Sequence, residues 1–176
     1  MTLEERLAMH KKMAEAYWSA YKTRNVEDGA KYEDWVFAPH ATYWSPYFGN
    51  NVIDLDNNPM SVQISATMEA ATYSVTMPDW TPLDCRCWPS DRGFVMLTHF
   101  GGHTPDGVLH DFYAYGFVDT NEKGEITHWE THVSPEYNDF LDVAIGVHGP
   151  FKNGAGEYMQ AVAKRMQEKG VKIHLQ

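Results

Sequence analysis

The chain has 176 residues, enough for a single domain with its own hydrophobic core. Acidic residues outnumber basic ones by 24 to 14, for a formal net charge of −10, and the densest basic clusters, His10-Lys11-Lys12 and Lys164-Arg165, are too short to hold a phosphate backbone, which excludes nucleic acid as a partner. No apolar run approaches the ~18 residues that would cross a bilayer. The N-terminal MTLEERLAMHKK lacks an apolar signal core, and the only cysteines, Cys85 and Cys87, form a C-x-C pair too close to join two elements, so a cytoplasmic, reducing setting without membrane contact is expected.

In chain order, Leu3, Leu7, His10, Ala14, Tyr17 and Tyr21 recur at steps of three and four, the stripe of an amphipathic helix running to about Asn25. Thr2-x-x-Glu5 reads as its capping box. A second short helix is expected over Val26 to Val36, with Tyr32 and Trp35 facing inward. After Pro39, ATYWSPYFG reads as a short strand turning at Pro46 and Gly49, and NNVIDLDNNP as turns. Met60 to Thr76 is helical again, stopped by Pro78.

From Trp80 the pattern changes. WTPLDCRCW, GFVMLTHFGGH, VLHDFYAYGFVD and EITHWETHV are strand-like runs, joined by SDRG, TPDG and TNEKG, which are hairpin turns. Connections this short predict an antiparallel meander. A polar stretch then leads to a last helix at Gly156 to Lys169, with Gly170 as its stop. The order predicts an α+β fold: a conical, curved antiparallel sheet with helices packed on its concave face, and a pocket between them.

Six Trp, ten Tyr and eight Phe make 14% of the chain, more than a core of this size needs. The surplus suits either a pocket for a flat, apolar ligand or a subunit interface. The sequence carries no phosphate loop, nucleophile elbow or calcium loop, so no cofactor has a visible home. His99, His103, His110, His128, Glu130 and His132 crowd into adjacent strands, and two His plus a carboxylate could hold iron or zinc. Their spacing matches no strong metal motif, and no metal site is assigned.

Four stretches carry a family resemblance: AYWSAYKTRN, ATYWSPYFG, SATMEAATYSVTMPDW and GEITHWETHV. With the element order, they resemble the nuclear transport factor 2-like superfamily, in particular its SnoaL-like and phenazine-biosynthesis-like enzymes, whose cystatin-like α+β barrel this chain would share. The likeness spans about residues 5–146, leaving 147–176 as a C-terminal helical extension of one domain, 1–176.

The resemblance implies site residues. Tyr17 stands where ketosteroid isomerases of the superfamily place an oxyanion-stabilising tyrosine, and Ser45 where they place a general-base aspartate, a role serine cannot fill alone. Tyr43 and Phe48 flank it as substrate contacts. Glu69 and Tyr73 occupy the pocket positions of the phenazine-type helix, four apart and so on one face. On the closing strand, Trp129, Thr131 and Val133 would face the pocket, which turns His128, Glu130 and His132 to the convex side, where these proteins usually dimerise. His99 aligns with a charged pocket residue of the related epoxide hydrolases, and Asp111, Tyr113 and Tyr115 of the next strand alternate onto one face.

The residues themselves support Glu69 further, because it sits among Ala and Met, where burial would raise its pKa into a range useful for acid–base work. Tyr17, Glu69, Tyr73, His99 and Asp111 are thus the catalytic candidates. Tyr43, Ser45, Phe48, Tyr113, Tyr115, Trp129 and Thr131 are the substrate-binding ones. His10, on an apolar stripe, is expected to be a core histidine. The expected protein is a homodimeric, cofactor-independent enzyme doing proton transfer on a small hydrophobic aromatic molecule. Similarity to the lignin-derived diarylpropane lyases implies, most specifically, release of formaldehyde to give a stilbene. A cyclase, dehydratase or isomerase of the same fold, or a protein that only binds its ligand, is the alternative.

Overall fold

Helix α1 spans Leu3–Thr23 in a computed structural model that describes residues 1–23, 36–49, 52–57 and 62–172. The expected capping box starts it: Thr2 N–H donates to Glu5 Oε2 at 2.7 Å and Glu5 N–H to Thr2 Oγ1 at 3.2 Å. Met13, Ala14, Trp18 and Tyr21 are buried along it, whereas Leu3, read as the first residue of the stripe, is exposed. The short helix expected at Val26–Val36, with Tyr32 and Trp35, falls on residues 24–35, outside those described.

Six strands follow: β1 (Phe37–Trp44), β2 (Ile53–Asp54), β3 (Thr81–Pro89), β4 (Gly93–His103), β5 (Leu109–Thr120) and β6 (Ile126–Val133). Helix α2 (Val62–Thr76) lies between β2 and β3, and α3 (Tyr137–Ile145) and α4 (Ala155–Lys169) close the chain. Ser45 caps a 3₁₀ turn at Pro46–Phe48, its hydroxyl accepting from Tyr47 N–H, and Gly49 ends that turn in the left-handed region at φ 76°. Gly170 stops α4 in the same way.

The sheet order is β2-β1-β6-β5-β4-β3. β3 to β6 pair antiparallel in succession, as their short turns demand. β1 instead runs parallel to β6, so the sheet is mixed rather than wholly antiparallel as expected. β1 enters the sheet long before the meander and docks on its last strand, a pairing that no hairpin constrains. The second departure is α3, which lies in a stretch that reads as polar. Tyr137, Phe140, Leu141, Ala144 and Ile145 are buried at helical spacing between Glu136, Asn138, Asp139 and Asp142, whose charge and polarity mask the stripe.

Strand alternation decides what faces the helices. β4 buries Phe94, Met96, Thr98 and Phe100, and β5 buries Phe112 and Val118. The core forms two clusters. Under α1, Met13 and Trp18 pack on Met96, Val118 and Trp129, and the Trp18 indole donates to Thr98 Oγ1 at 2.7 Å. Under α2, α3 and α4, Tyr73 and Phe140 pack on Trp80, Phe100 and Phe112. Gly102 lets the corner after α2 press on the sheet, since a Cβ there would stand 2.7 Å from Trp80 Cα. His10 is the core histidine expected: its ring nitrogens meet Ser90 O at 2.9 Å and Thr120 Oγ1 at 2.8 Å, and burial lowers its pKa. Among the described residues no helix is long and apolar enough to cross a membrane.

Candidate active site

A cavity of about 430 Å³ opens between the helices and the inner face of the sheet, within the range of sites for drug-sized ligands. Its wall is aromatic. α1 contributes Tyr17 and Tyr21, β1 Tyr43, α2 Tyr73, and β4 to β6 contribute Phe100, Phe112 and Trp129. The 3₁₀ turn adds Tyr47 and Phe48, and α3 and α4 add Tyr137 and Tyr158. Among the described lining residues, Glu69 is the only Asp, Glu, Lys, Arg or His.

Glu69 projects from α2 and is held by two phenols. Tyr21 OH donates to Oε2 at 2.9 Å and Tyr158 OH to Oε1 at 2.8 Å. Tyr17 OH donates in turn to Tyr21 at 3.4 Å. Behind Tyr158, Tyr137 OH lies 3.3 Å away and Tyr73 OH hydrogen-bonds the same oxygen. The Glu69 side chain is part-buried, open to the cavity and otherwise enclosed by protein. That desolvation pushes its pKa from the ordinary 4.5 up to about 7, against the opposing pull of the Tyr158 and Tyr21 hydrogen bonds. Burial likewise raises the pKa of Tyr17, Tyr43, Tyr73, Tyr137 and Tyr158, so these phenols stay protonated and act as donors.

Of the residues expected here, Tyr17, Tyr43, Ser45, Phe48, Glu69, Tyr73, Trp129 and Thr131 all line the cavity. Thr131 and Ser45 hydrogen-bond the Tyr43 phenol. His99, Asp111, Tyr113 and Tyr115 do not line it. They alternate with Phe100, Phe112 and Ala114, which face inward, and so point to the outer face of the sheet. There His99 Nε2 meets Asp111 Oδ2 at 2.6 Å, and the His99 ring stacks on Tyr113 at 4.4 Å. His128, Glu130 and His132 also face outward, as expected. His128 pairs with Thr42 Oγ1 at 2.7 Å, and Glu130 pairs with His132.

Among the described residues, the groups of potential metal ligands within mutual reach are His40, Asp54 and Asp56, and Asp139, Asp142 and His148. None of these six residues lines the cavity, and neither group contains the strand histidines singled out from sequence.

Sequence reasoning missed Tyr47, Tyr137 and Tyr158 as site residues and placed Tyr21 only on a core stripe. Tyr158 had a readable signal: with Val162 and Met166 it forms the buried stripe of α4. The C-terminal segment is therefore part of the site rather than an appendage to it.

No protein-family profile matches the chain, and no curated protein matches its sequence. Solved structures do match. A protein described as a SnoaL-like polyketide cyclase from Jannaschia sp. CCS1 superposes with a TM-score of 0.50 at 9% identity, covering 79% of this chain and 93% of that one. A steroid delta-isomerase from Pseudomonas aeruginosa gives a TM-score of 0.43 at 12% identity over 92% and 91% of the two chains. A phenazine biosynthesis-related protein from the same organism gives 0.43 at 12% identity over 80% and 87%. The first of these shows the fold alone: this chain shares the α+β architecture of that SnoaL-like protein, a curved sheet with helices packed on one face.

Proposed function

We propose that the protein is a cofactor-independent acid–base lyase acting on a hydrophobic aromatic molecule, most specifically a lignin-derived diarylpropane diol that it splits into a stilbene, formaldehyde and water. One observation carries this reading: a carboxyl pushed up to about 7, the only one among the described lining residues, stands in a cavity walled by aromatic rings. A group that titrates near working pH can both give and take a proton.

The reaction asks for both. Glu69 as the acid protonates the benzylic hydroxyl, the C–O bond breaks, and water leaves. Loss of the ring's phenolic proton gives a neutral quinone methide. Glu69, now a carboxylate, takes the proton of the neighbouring primary alcohol. The bond from that carbon to the chain breaks, formaldehyde departs, and the electron pair restores the aromatic ring, whose oxygen is reprotonated. No electrons are gained or lost overall. In this reading the phenols of Tyr17 and Tyr43 hold the oxygens of the substrate and Trp129 and Phe100 contact its rings, which their position in the cavity wall supports.

The pairing of two copies is proposed to use the outer sheet face. Trp88, Tyr113, Tyr115 and Phe117 are exposed. Two acids of that face have partners, Asp84 with Arg86 and Asp111 with His99, on a chain whose net charge of −10 works against pairing. Sedimentation of the purified protein tests this, a monomer at micromolar concentration being the contrary result.

The activity is tested by incubating purified protein with a panel of aromatic 1,3-diols and following formaldehyde and stilbene absorbance. Turnover by the native protein and none by Glu69→Gln supports the reading. Saturable binding with no turnover on any diol would instead make it a binding protein.

A further inference from the structure

We propose that Tyr21 and Tyr158 are positioning residues that hold Glu69 by one carboxyl oxygen each and fix how it presents its proton to the cavity, a role that rests on Glu69 being the acid–base group. A glutamate has three side-chain torsions, and the cavity supplies no cation among the described residues to orient this one. What orients it is a pair of phenols from opposite ends of the chain, Tyr21 on α1 and Tyr158 on α4.

Both phenols are rigid. The Tyr21 ring packs edge-on against Phe100 at 4.9 Å and Trp80 at 5.7 Å. The Tyr158 ring packs against Phe48 and Phe151, each at 5.3 Å. Each hydroxyl also has a partner behind it, Tyr17 for Tyr21, and Tyr73 and Tyr137 for Tyr158. A chain of this kind lets the carboxyl change protonation state without leaving an unpaired hydrogen-bonding group, because the phenols can turn their O–H bonds together. A proton on Oε1 would be donated to Tyr158, whose own O–H then points towards its neighbours.

Among the described residues, the titratable groups that face Glu69 are all phenols: Tyr17 and Tyr21 from α1, Tyr43 from β1, Tyr73 from α2, Tyr137 from α3 and Tyr158 from α4. None carries charge at neutral pH. The two donors therefore hold the titration of Glu69 down against its burial, and removing either hydroxyl lets burial act with less opposition.

The experiment is a carbon-13 NMR titration of protein labelled at the glutamate carboxyls, with Glu69→Gln identifying the resonance, run on the native protein and on Tyr21→Phe, Tyr158→Phe and Tyr137→Phe. Each substitution removes one oxygen and keeps the ring. Because the two donors sit on different helices, failure of one variant to fold leaves the other. The midpoint is expected near 7 in the native protein. It should rise by about one pH unit in each donor variant and stay in place for Tyr137→Phe, which lies one phenol further out. On a diol that is turned over, the pH-rate limb moves by the same amount, and kcat falls about tenfold while KM stays within about twofold.

Midpoints that stay in place in both donor variants overturn the proposal, as does a rate limb that stays put while the midpoint moves. The two readings fail separately. Moved midpoints without turnover of any diol uphold the clamp and sink the lyase, whereas unmoved midpoints with turnover sink the clamp alone.

Discussion

The two faces of β4 and β5 carry nearly the same kinds of residue and do different things. Inward, Phe100 and Phe112 are 2% and 5% exposed and wall the cavity; outward, Tyr113 and Phe117 are 39% and 43% exposed. His99 and Asp111 are the immediate chain neighbours of Phe100 and Phe112 and form a close pair, yet alternation turns them away from the cavity. The carboxyl with the raised pKa stands instead on a helix, alone among the described lining residues in carrying a charge-bearing group, and desolvation is what raises it.

The inner face can be broken first at Glu69. Glu69→Gln keeps the shape and one acceptor oxygen for the phenols but cannot trade a proton, so kcat for diol cleavage should drop about 10²- to 10⁴-fold with binding retained. Steady-state kinetics and equilibrium binding of the same diol check it. A loss under threefold would move the acid–base work to another residue.

Packing gives the next largest contrast. Phe100→Ala removes a ring that stacks on Trp80 at 5.3 Å and should cost about 3–5 kcal/mol. Phe117→Ala, on the outer face, should cost under about 1 kcal/mol in the monomer. Denaturant unfolding of both variants sharpens the comparison, and equal losses would contradict the assignment of faces.

A pH series gives the third contrast. The Glu69 carboxyl is raised in the folded state, from 4.5 to about 7. Its contribution to stability is therefore fully present below about 4.5 and is lost as pH rises through about 7. The Tm of Glu69→Gln should accordingly gain on that of the native protein between pH 5 and 8. His10, with its lowered pKa, acts in the opposite direction as pH falls, but it is common to both proteins and drops out of the difference. A difference that does not change with pH would mean the carboxyl is solvated.

The smallest effect is expected on the outer face. His99→Gln should leave kcat within about twofold of native, because the pair it breaks is part-exposed and remote from the cavity. An inactive His99→Gln with an intact fold would reverse the contrast between the faces.

Much of the fold was legible because its signals are local. The Thr2–Glu5 capping box, the stripes of α1 and α2, the three hairpin turns and the Gly170 stop each depend on residues within a few positions of one another. Glu69 was legible for a related reason: a carboxylate within SATMEAATY stands out against apolar neighbours on its own helix. α3 was hidden by the acids around its stripe. The outward turn of His99 and Asp111 could not be read from alternation alone, which defines two faces but not which of them is covered.

The amino-acid sequence alone thus determined α1, α2 and α4, the antiparallel meander and the carboxyl worth watching, since these follow from propensity and periodicity over a single turn or strand. Only the tertiary structure decided that β1 lies parallel to β6, that the cavity faces Phe100 rather than His99, and that Tyr158 reaches Glu69 from 89 residues away. Those outcomes depend on which surfaces meet when apolar area is buried, a property of the whole chain rather than of any one segment of it.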